Sequence, residues 1–308
     1  MKQVSIRHYR CPADKTELSL VDGKLTDDEV ESGILVSPGG HRYPIEGGLP
    51  NLIFPAELSL IEAKTKAEYD RVADEIYDRA VDWQFKAFYE DEDKVRETMV
   101  DLLQVRAGMR VLEVGCGTGR DSFRLARRLG RGELHMQDLS PAMVSACQHK
   151  MAGIQKDLGF VCTLEYSASN ASWLPYPDGY FDALFHFGGF NHFGDLKNAA
   201  AELTRVVRKG GRVLFGDEAV APWLKGTEFD GIVSINNPLF KESVPLAALP
   251  ISARDVTVRW LIANCFYVIA YTRGEDGPPP VDLDLPHAGT RGGSMRSRHF
   301  WRHGRRYA

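Results

Sequence analysis

The sequence contains no uninterrupted apolar run approaching the length of a membrane-crossing helix, about 20 residues. Its opening residues, MKQVSIRHYRCPAD, lack the apolar stretch of a secretory leader. Five cysteines (Cys11, Cys116, Cys147, Cys162 and Cys265) are an odd number and widely scattered, which speaks against a disulfide framework. Neither sign of charge dominates. The formal net charge is −4, so the whole chain lacks the positive field that phosphate backbones require. These absences predict a reduced, cytoplasmic protein with no membrane partner, and they argue against a nucleic-acid partner. One local exception is a cluster of arginines near the C-terminus, from Arg291 to Arg306.

At 308 residues the chain is long enough for one large domain and a smaller one. Residues 1–56 are short segments punctuated by Gly and Pro, such as GILVSPGGHRYPIEGGLPNLIF, and predict a small β-rich module. From Pro55 the spacing of apolar residues turns helical through AELSLIEAKTKAEYDRVADEIYDRAVDWQFKAFY. Strands and helices then alternate. RVLEVG is a strand, RDSFRLARRLG a helix stopped by Gly130, and GELHMQD a second strand. Ser140-Pro141 opens a long helix with a cap and a first-turn proline. FVCTLEYSAS and FDALFHFGG are further strands, DLKNAAAELTRVVRKGG is a helix ending at Gly210-Gly211, and RVLFGDE follows as a strand. VTVRWLIANCFYVIAYTRG reads as two strands joined tightly. The pattern predicts an α/β fold. It is doubly wound, with a mostly parallel seven-stranded sheet closed by a C-terminal antiparallel hairpin, and it carries the small module at its N-terminus. The domain boundaries implied are 1–56, 57–275 and an extended Pro/Arg-rich tail at 276–308.

The stretch VLEVGCGTGR places Gly115, Gly117 and Gly119 between a strand and a helix, where backbone N–H groups face a ligand. The dinucleotide fingerprint G-x-G-x-x-G needs a third glycine at position 120, which is arginine here. Glu113, two residues before the first glycine, suits a cationic ligand better than a pyrophosphate.

The run E-x-G-x-G-x-G after a strand resembles the first motif of class I S-adenosylmethionine-dependent methyltransferases. Asp138 follows 25 residues after Glu113, at the end of the second strand. ASNASWLPYPDGYFDAL and AELTRVVRKGGRVLFGDE resemble two later motifs of that family, in the family's order. The resemblance covers roughly residues 65–275. It implies S-adenosyl-L-methionine as cofactor. Glu113, Gly115, Cys116, Gly117 and Gly119 would form its loop, Asp138 would accept from the ribose hydroxyls, and Leu139 would pack on the adenine. Asn170, beside Ala171, stands where the family commonly has an aspartate facing the adenine amine. A carbonyl at Phe187 or Gly188 would face the methionine moiety.

Methyl transfer asks an enzyme to position an acceptor and, where needed, to remove its proton. His192 is the candidate base. His186, inside a strand, reads as a packed histidine. Asp217, Glu218, Trp223, Asn236 and Asn237 are the candidate acceptor-binding residues after the fifth strand. Tyr69, Tyr77 and Phe88 lie on helices expected to cover the cofactor.

RCPADKTELSL followed by GGHRYPIEGGLPNLI resembles the Trm112-like zinc-ribbon module. Only Cys11 of its cysteines remains, with Asp14 at the second position and His41 nearby, so no metal is expected. The leading expectation is methylation of a small-molecule O, N or C acceptor. The alternatives are action on tRNA, rRNA or a translation factor, and a non-catalytic cofactor-binding partner protein.

Overall fold

A computed structural model describes residues 1–73, 75–158 and 161–279. Arg291 to Arg306, and the predicted tail from residue 280 onward, lie outside the described residues. Among the described residues no helix is long and apolar enough to cross a membrane. Met1–Gly274 form one compact unit.

A 3-10 turn over Gln3–His8 precedes four strands, β1 (Ser19–Thr26), β2 (Glu29–Val36), β3 (Arg42–Glu46) and β4 (Leu49–Leu52). Three helices follow, α1 (Leu60–Val72), α2 (Glu75–Ala87) and α3 (Glu92–Leu103). The alternating part comprises β5 (Arg110–Val114), α4 (Ser122–Leu129), β6 (Glu133–Asp138), α5 (Pro141–Leu158), β7 (Thr163–Ser169), β8 (Phe181–Phe187), α6 (Leu196–Arg205) and β9 (Val207–Glu218). Helix α7 (Glu228–Asn236) then leads to β10 (Ala253–Leu261) and β11 (Phe266–Arg273).

The sheet order is β1-β2-β3-β4-β7-β6-β5-β8-β9-β11-β10. Strands β4 through β9 pair in parallel, and β11 returns antiparallel on β9 before turning into β10. The seven strands expected from the alternation are therefore present, but the sheet is four strands wider. The N-terminal strands attach through β4, whose Asn51 and Leu52 pair with Ala168 and Ser169 of β7. Without β4, β7 would end the sheet with its backbone groups open to pairing. Neighbouring residues of the central strands face opposite sides. Val111 packs with Leu134, Met136 and Phe185, whereas Leu112 packs with Leu184, Val213 and Phe215. Two apolar layers thus cover the two faces.

Two local expectations change. The helix expected to reach Gly210-Gly211 ends at Arg205, and Val207 already pairs with Phe181. A Cβ on Gly211 would lie 2.6 Å from the Asp182 carbonyl oxygen, so this glycine lets the strand cross close to its neighbour rather than ending a helix. The single helical run after Pro55 divides into α1 and α2, and α3 follows as a third helix. Its Asp91 cap accepts from Lys94 N at 3.1 Å.

Candidate functional site

The C-terminal ends of β5, β6, β7 and β8 open into a solvent-connected cleft with about 680 Å³ of empty space. Its floor is the glycine loop. Gly115, Gly117 and Gly119 all have positive φ, at 66°, 52° and 88°. The space above them is also restricted. A Cβ at Gly115 would meet the His186 ring at 3.2 Å, and one at Gly119 would meet Cys147 Sγ at 3.0 Å. Glycine is needed here for both conformation and room.

Glu113 and Cys116 shape this loop from beneath. Glu113 is buried and accepts from Ser122 Oγ at 2.5 Å, tying β5 to the start of α4. Burial pushes its carboxyl well above the usual carboxylate range. Cys116 is buried beside Cys147, with its Sγ 3.7 Å from the Gly117 carbonyl oxygen. Neither residue lines the 680 Å³ cleft.

Asp138 does line it, at the end of β6. Its Oδ2 accepts from Gly117 N at 3.0 Å and its Oδ1 from Ser140 N at 2.9 Å. Burial raises its pKa to about 6, against the opposing pull of those amides. Leu139, Asn170 and Ala171 complete that end of the cleft. Asn170 Oδ1 accepts from Ser172 N at 2.9 Å, and its Nδ2 donates to Glu62 at 3.0 Å. Asn170 therefore arrives with one acceptor lone pair and one N–H remaining.

The Glu62 link was not anticipated. Ser59-Leu-Ile-Glu62 is a capping box, in which Ser59 N donates to Glu62 Oε2 at 3.0 Å. The other carboxylate oxygen holds Asn170, so the first turn of α1 is fastened to the rim of the cleft. Burial alone would raise the Glu62 carboxyl, but hydrogen bonds from Ser59 and Asn170 bring it below its ordinary value. Thr65, Lys66 and Tyr69 then follow along the lining. The cover from α2 is held by polar contacts to the loop. Thr118 Oγ1 donates to Asp78 at 2.6 Å, and Arg120 pairs with Asp78, Asp82 and Glu92. Tyr77 is thereby kept 3.7 Å from the Cβ position of Gly117. Tyr69 and Tyr77 line the cleft as expected of covering residues, whereas Phe88 packs on Phe240 with ring centroids 6.0 Å apart.

A second cavity of about 780 Å³ adjoins the first. The two share Tyr69, Tyr77, Gly115, Gly188, Gly189 and His192. Phe85, Phe187, Ile262 and Phe266 give it an apolar part, whereas Arg96, Arg120, Asp121 and Glu218 make the rest of its wall charged. Burial and the adjacent Asp217 push Glu218 well above the carboxylate range, against a hydrogen bond to Asn237.

Asp217, in contrast, is fully buried and faces the loop after β8. It accepts from Gly189 N at 3.1 Å and from Asn191 N at 2.5 Å, so both of its oxygens help hold that loop. Trp223 and Asn236 are not brought to either cavity. Trp223 is 63% exposed and packs edge-on against Trp260 of β10, and Asn236 turns back to the Ile232 carbonyl oxygen at 3.4 Å. The insertion is helical, so only one side of it can face the sheet. Asn237 follows α7 and caps the 3-10 turn Pro238–Lys241, accepting from Leu239 N at 3.0 Å, and reaches the second cavity only through Glu218.

Among the described residues, two clusters offer metal-binding atoms within 4.8 Å of one another. One is Cys11, Asp14 and His41, so the fold does gather the three residues set aside above. The other is His8, Glu133 and His135. There Arg110 occupies both Glu133 oxygens and stacks on Tyr180 at 4.1 Å, placing a fixed positive charge beside any incoming cation.

Residues 111–211 match the family model described as a methyltransferase domain. The ubiquinone/menaquinone biosynthesis C-methyltransferase UbiE of Erwinia tasmaniensis is 33% identical over 116 residues, 37% of this chain and 45% of that protein. Its counterpart in Edwardsiella ictaluri is 34% identical over the same shares. The chain thus spans just under half the length of these curated relatives. The structure of Haemonchus contortus phosphoethanolamine N-methyltransferase 2 in complex with S-adenosyl-L-methionine superposes with a TM-score of 0.51 at 14% identity. That match covers 73% of this chain and 62% of the other, and it shows a shared fold. Residues 111–211 thus carry a methyltransferase domain.

Proposed function

We propose that the protein transfers a methyl group from S-adenosyl-L-methionine to a small-molecule acceptor. The observation that carries this reading is the pair of adjoining cavities. One is a cleft built on the glycine loop and Asp138, and the other is a chamber of mixed aromatic and charged lining that meets it at Gly115, Gly188 and His192. A cofactor and a modest acceptor need that arrangement.

In this reading the glycine loop carries the amino-acid portion of the cofactor. Asp138 accepts from the ribose hydroxyls with the lone pairs that the amides leave. Leu139 and Ala171 flank the adenine, Asn170 offers its remaining N–H and lone pair, and the Phe187 or Gly188 carbonyl faces the amino-acid end. When bound, the cofactor supplies an electrophilic methyl on a sulfonium, which leaves as a neutral thioether. Glu113, Cys116 and Asp217 act by holding backbone. Glu218, kept neutral by its surroundings, presents an O–H to an acceptor's oxygen or nitrogen, and Asn237 fixes its orientation. His192, at the shared wall, takes the proton from an acceptor that must lose one. Trp223 and Asn236 have no part in this site.

A small-molecule acceptor is favoured by the aromatic part of the chamber wall, Phe85, Phe187 and Phe266, and the curated relatives are named for methylation in quinone biosynthesis. An RNA acceptor would call for a basic face, whereas beside the cleft the Arg120 charge is taken up by Asp78 and Asp82 of the covering helix α2 and by Glu92 of α3. Residues 1–56 are read as a Trm112-like module built into the same chain and fused to the sheet edge through β4. Incubation with cofactor labelled in its methyl group tests the proposal. Label should pass to a member of a panel of phenols, quinols, amines and prenyl compounds and not to bulk tRNA. Label in the RNA fraction would favour the macromolecular alternative, and binding without transfer to any acceptor would favour a partner protein.

A further inference from the structure

The strand histidine that reads as mere packing is placed to do more. His186 is the penultimate residue of β8, is 1% exposed and lines the cofactor cleft. Its Nδ1 lies 2.7 Å from the Val114 carbonyl oxygen. A carbonyl only accepts, so the ring proton sits on Nδ1 and Nε2 carries a bare lone pair. That Nε2 is buried and finds no partner among the described residues. Burial also lowers the pKa of the ring, so it stays neutral at physiological pH. The ring has little freedom to turn away. The Gly115 Cβ position lies 3.2 Å above its Nδ1–Cε1 edge, and the Phe193 ring is packed at 5.0 Å.

A buried acceptor without a donor is costly, and such groups are regularly completed by a ligand or water. The donors of S-adenosylmethionine are the adenine amine, the ribose hydroxyls and the α-ammonium. Asp138 and Asn170 claim the first two at the far end of the cleft. His186 sits at the Gly115 end, where the amino-acid portion falls. We propose that His186 Nε2 accepts a hydrogen bond from the α-ammonium and so fixes the amino-acid end of the cofactor. This rests on the cofactor assignment above.

Two variants separate the nitrogens. His186→Asn keeps an amide N–H near the position of Nδ1, able to reach the Val114 carbonyl, and leaves nothing at Nε2. His186→Gln extends an amide towards the position of Nε2. Binding of S-adenosylhomocysteine and of 5′-methylthioadenosine, which lacks the ammonium and carboxylate, is measured by calorimetry, with thermal melts to confirm folding. The expected result is a loss of about tenfold in S-adenosylhomocysteine affinity for His186→Asn, partly regained in His186→Gln. Affinity for 5′-methylthioadenosine should stay within about twofold throughout. A folded His186→Asn variant that binds S-adenosylhomocysteine as tightly as the unmodified chain overturns the inference alone, as does an equal loss for both ligands. An unmodified chain that binds neither ligand overturns the cofactor assignment itself.

Discussion

Asp138 Oδ2 accepts a hydrogen bond from Gly117 N at 3.0 Å, joining the end of β6 to the glycine loop of β5 across the mouth of the cleft. The same carboxylate is raised to about 6 by burial, so its ionisation falls within an accessible range. Hydroxyl donors favour the ionised form. Affinity for S-adenosylhomocysteine should therefore be full above pH 7 and decline as pH falls through about 6. Asp138→Asn should bind more weakly at pH 7.5, by about 1.5–3 kcal/mol, with a flatter pH profile. Calorimetry at pH 7.5 and 5.5 checks this, and an unchanged dissociation constant removes Asp138 from the ribose site.

His8 anchors the N-terminal turn against His135 and Tyr180. Burial and the neighbouring His135 lower its pKa to about 4 from 6.5. The unfolded chain takes up this proton first, so the associated stability is complete above about pH 6.5 and is lost as pH falls through 4. Urea unfolding at pH 7.5, 5.5 and 4.5 should show a shallower decline for His8→Gln than for the unmodified chain. Parallel declines would show that His8 is not the group responsible.

Much of the fold is legible in the residues. Strand-length apolar runs, Ser140-Pro141 and the Gly130 stop are local signals, and they mark β5, α5 and the end of α4. The joining of β4 to β7 is not local. Nothing in LPNL names its partner 117 residues away, at Asn51 and Ala168. At the site, Asp138 and the glycines were readable because they sit at strand ends in fixed order. The roles of Asp217 and Glu218 were not separable, because adjacent strand residues face opposite ways and the register alone decides which one meets the loop. Glu62 did carry a signal, the Ser59-x-x-Glu62 cap, but its second contact with Asn170 needed the fold. His186 was legible as buried, and its bare Nε2 only emerged once Val114 was seen to take the Nδ1 proton.

Glu218 faces the second cavity, and its carboxyl is held neutral by burial and by Asp217. Glu218→Ala should lower turnover at least tenfold while S-adenosylhomocysteine affinity changes by less than about twofold, roughly 0.4 kcal/mol. Trp223→Ala, on the exposed face beside Trp260, should leave both quantities unchanged. Steady-state assays with the acceptor found by label transfer decide the matter. Loss of activity in Trp223→Ala with full activity in Glu218→Ala would reverse the assignment.

Purified protein should contain no stoichiometric zinc. Cys11, Asp14 and His41 supply three donors where a structural site uses four. Asp14 Oδ1 is already held by Thr16 N at 3.0 Å and by Thr16 Oγ1 at 2.5 Å. Elemental analysis near one zinc per chain, lost in Cys11→Ser, would contradict this.

The central claim is that the glycine loop and Asp138 form an S-adenosylmethionine site. Calorimetric titration of the full chain with S-adenosylhomocysteine and, separately, with NAD tests it most directly. The account predicts saturable one-to-one binding of S-adenosylhomocysteine and none of NAD. Binding of NAD without S-adenosylhomocysteine would contradict it.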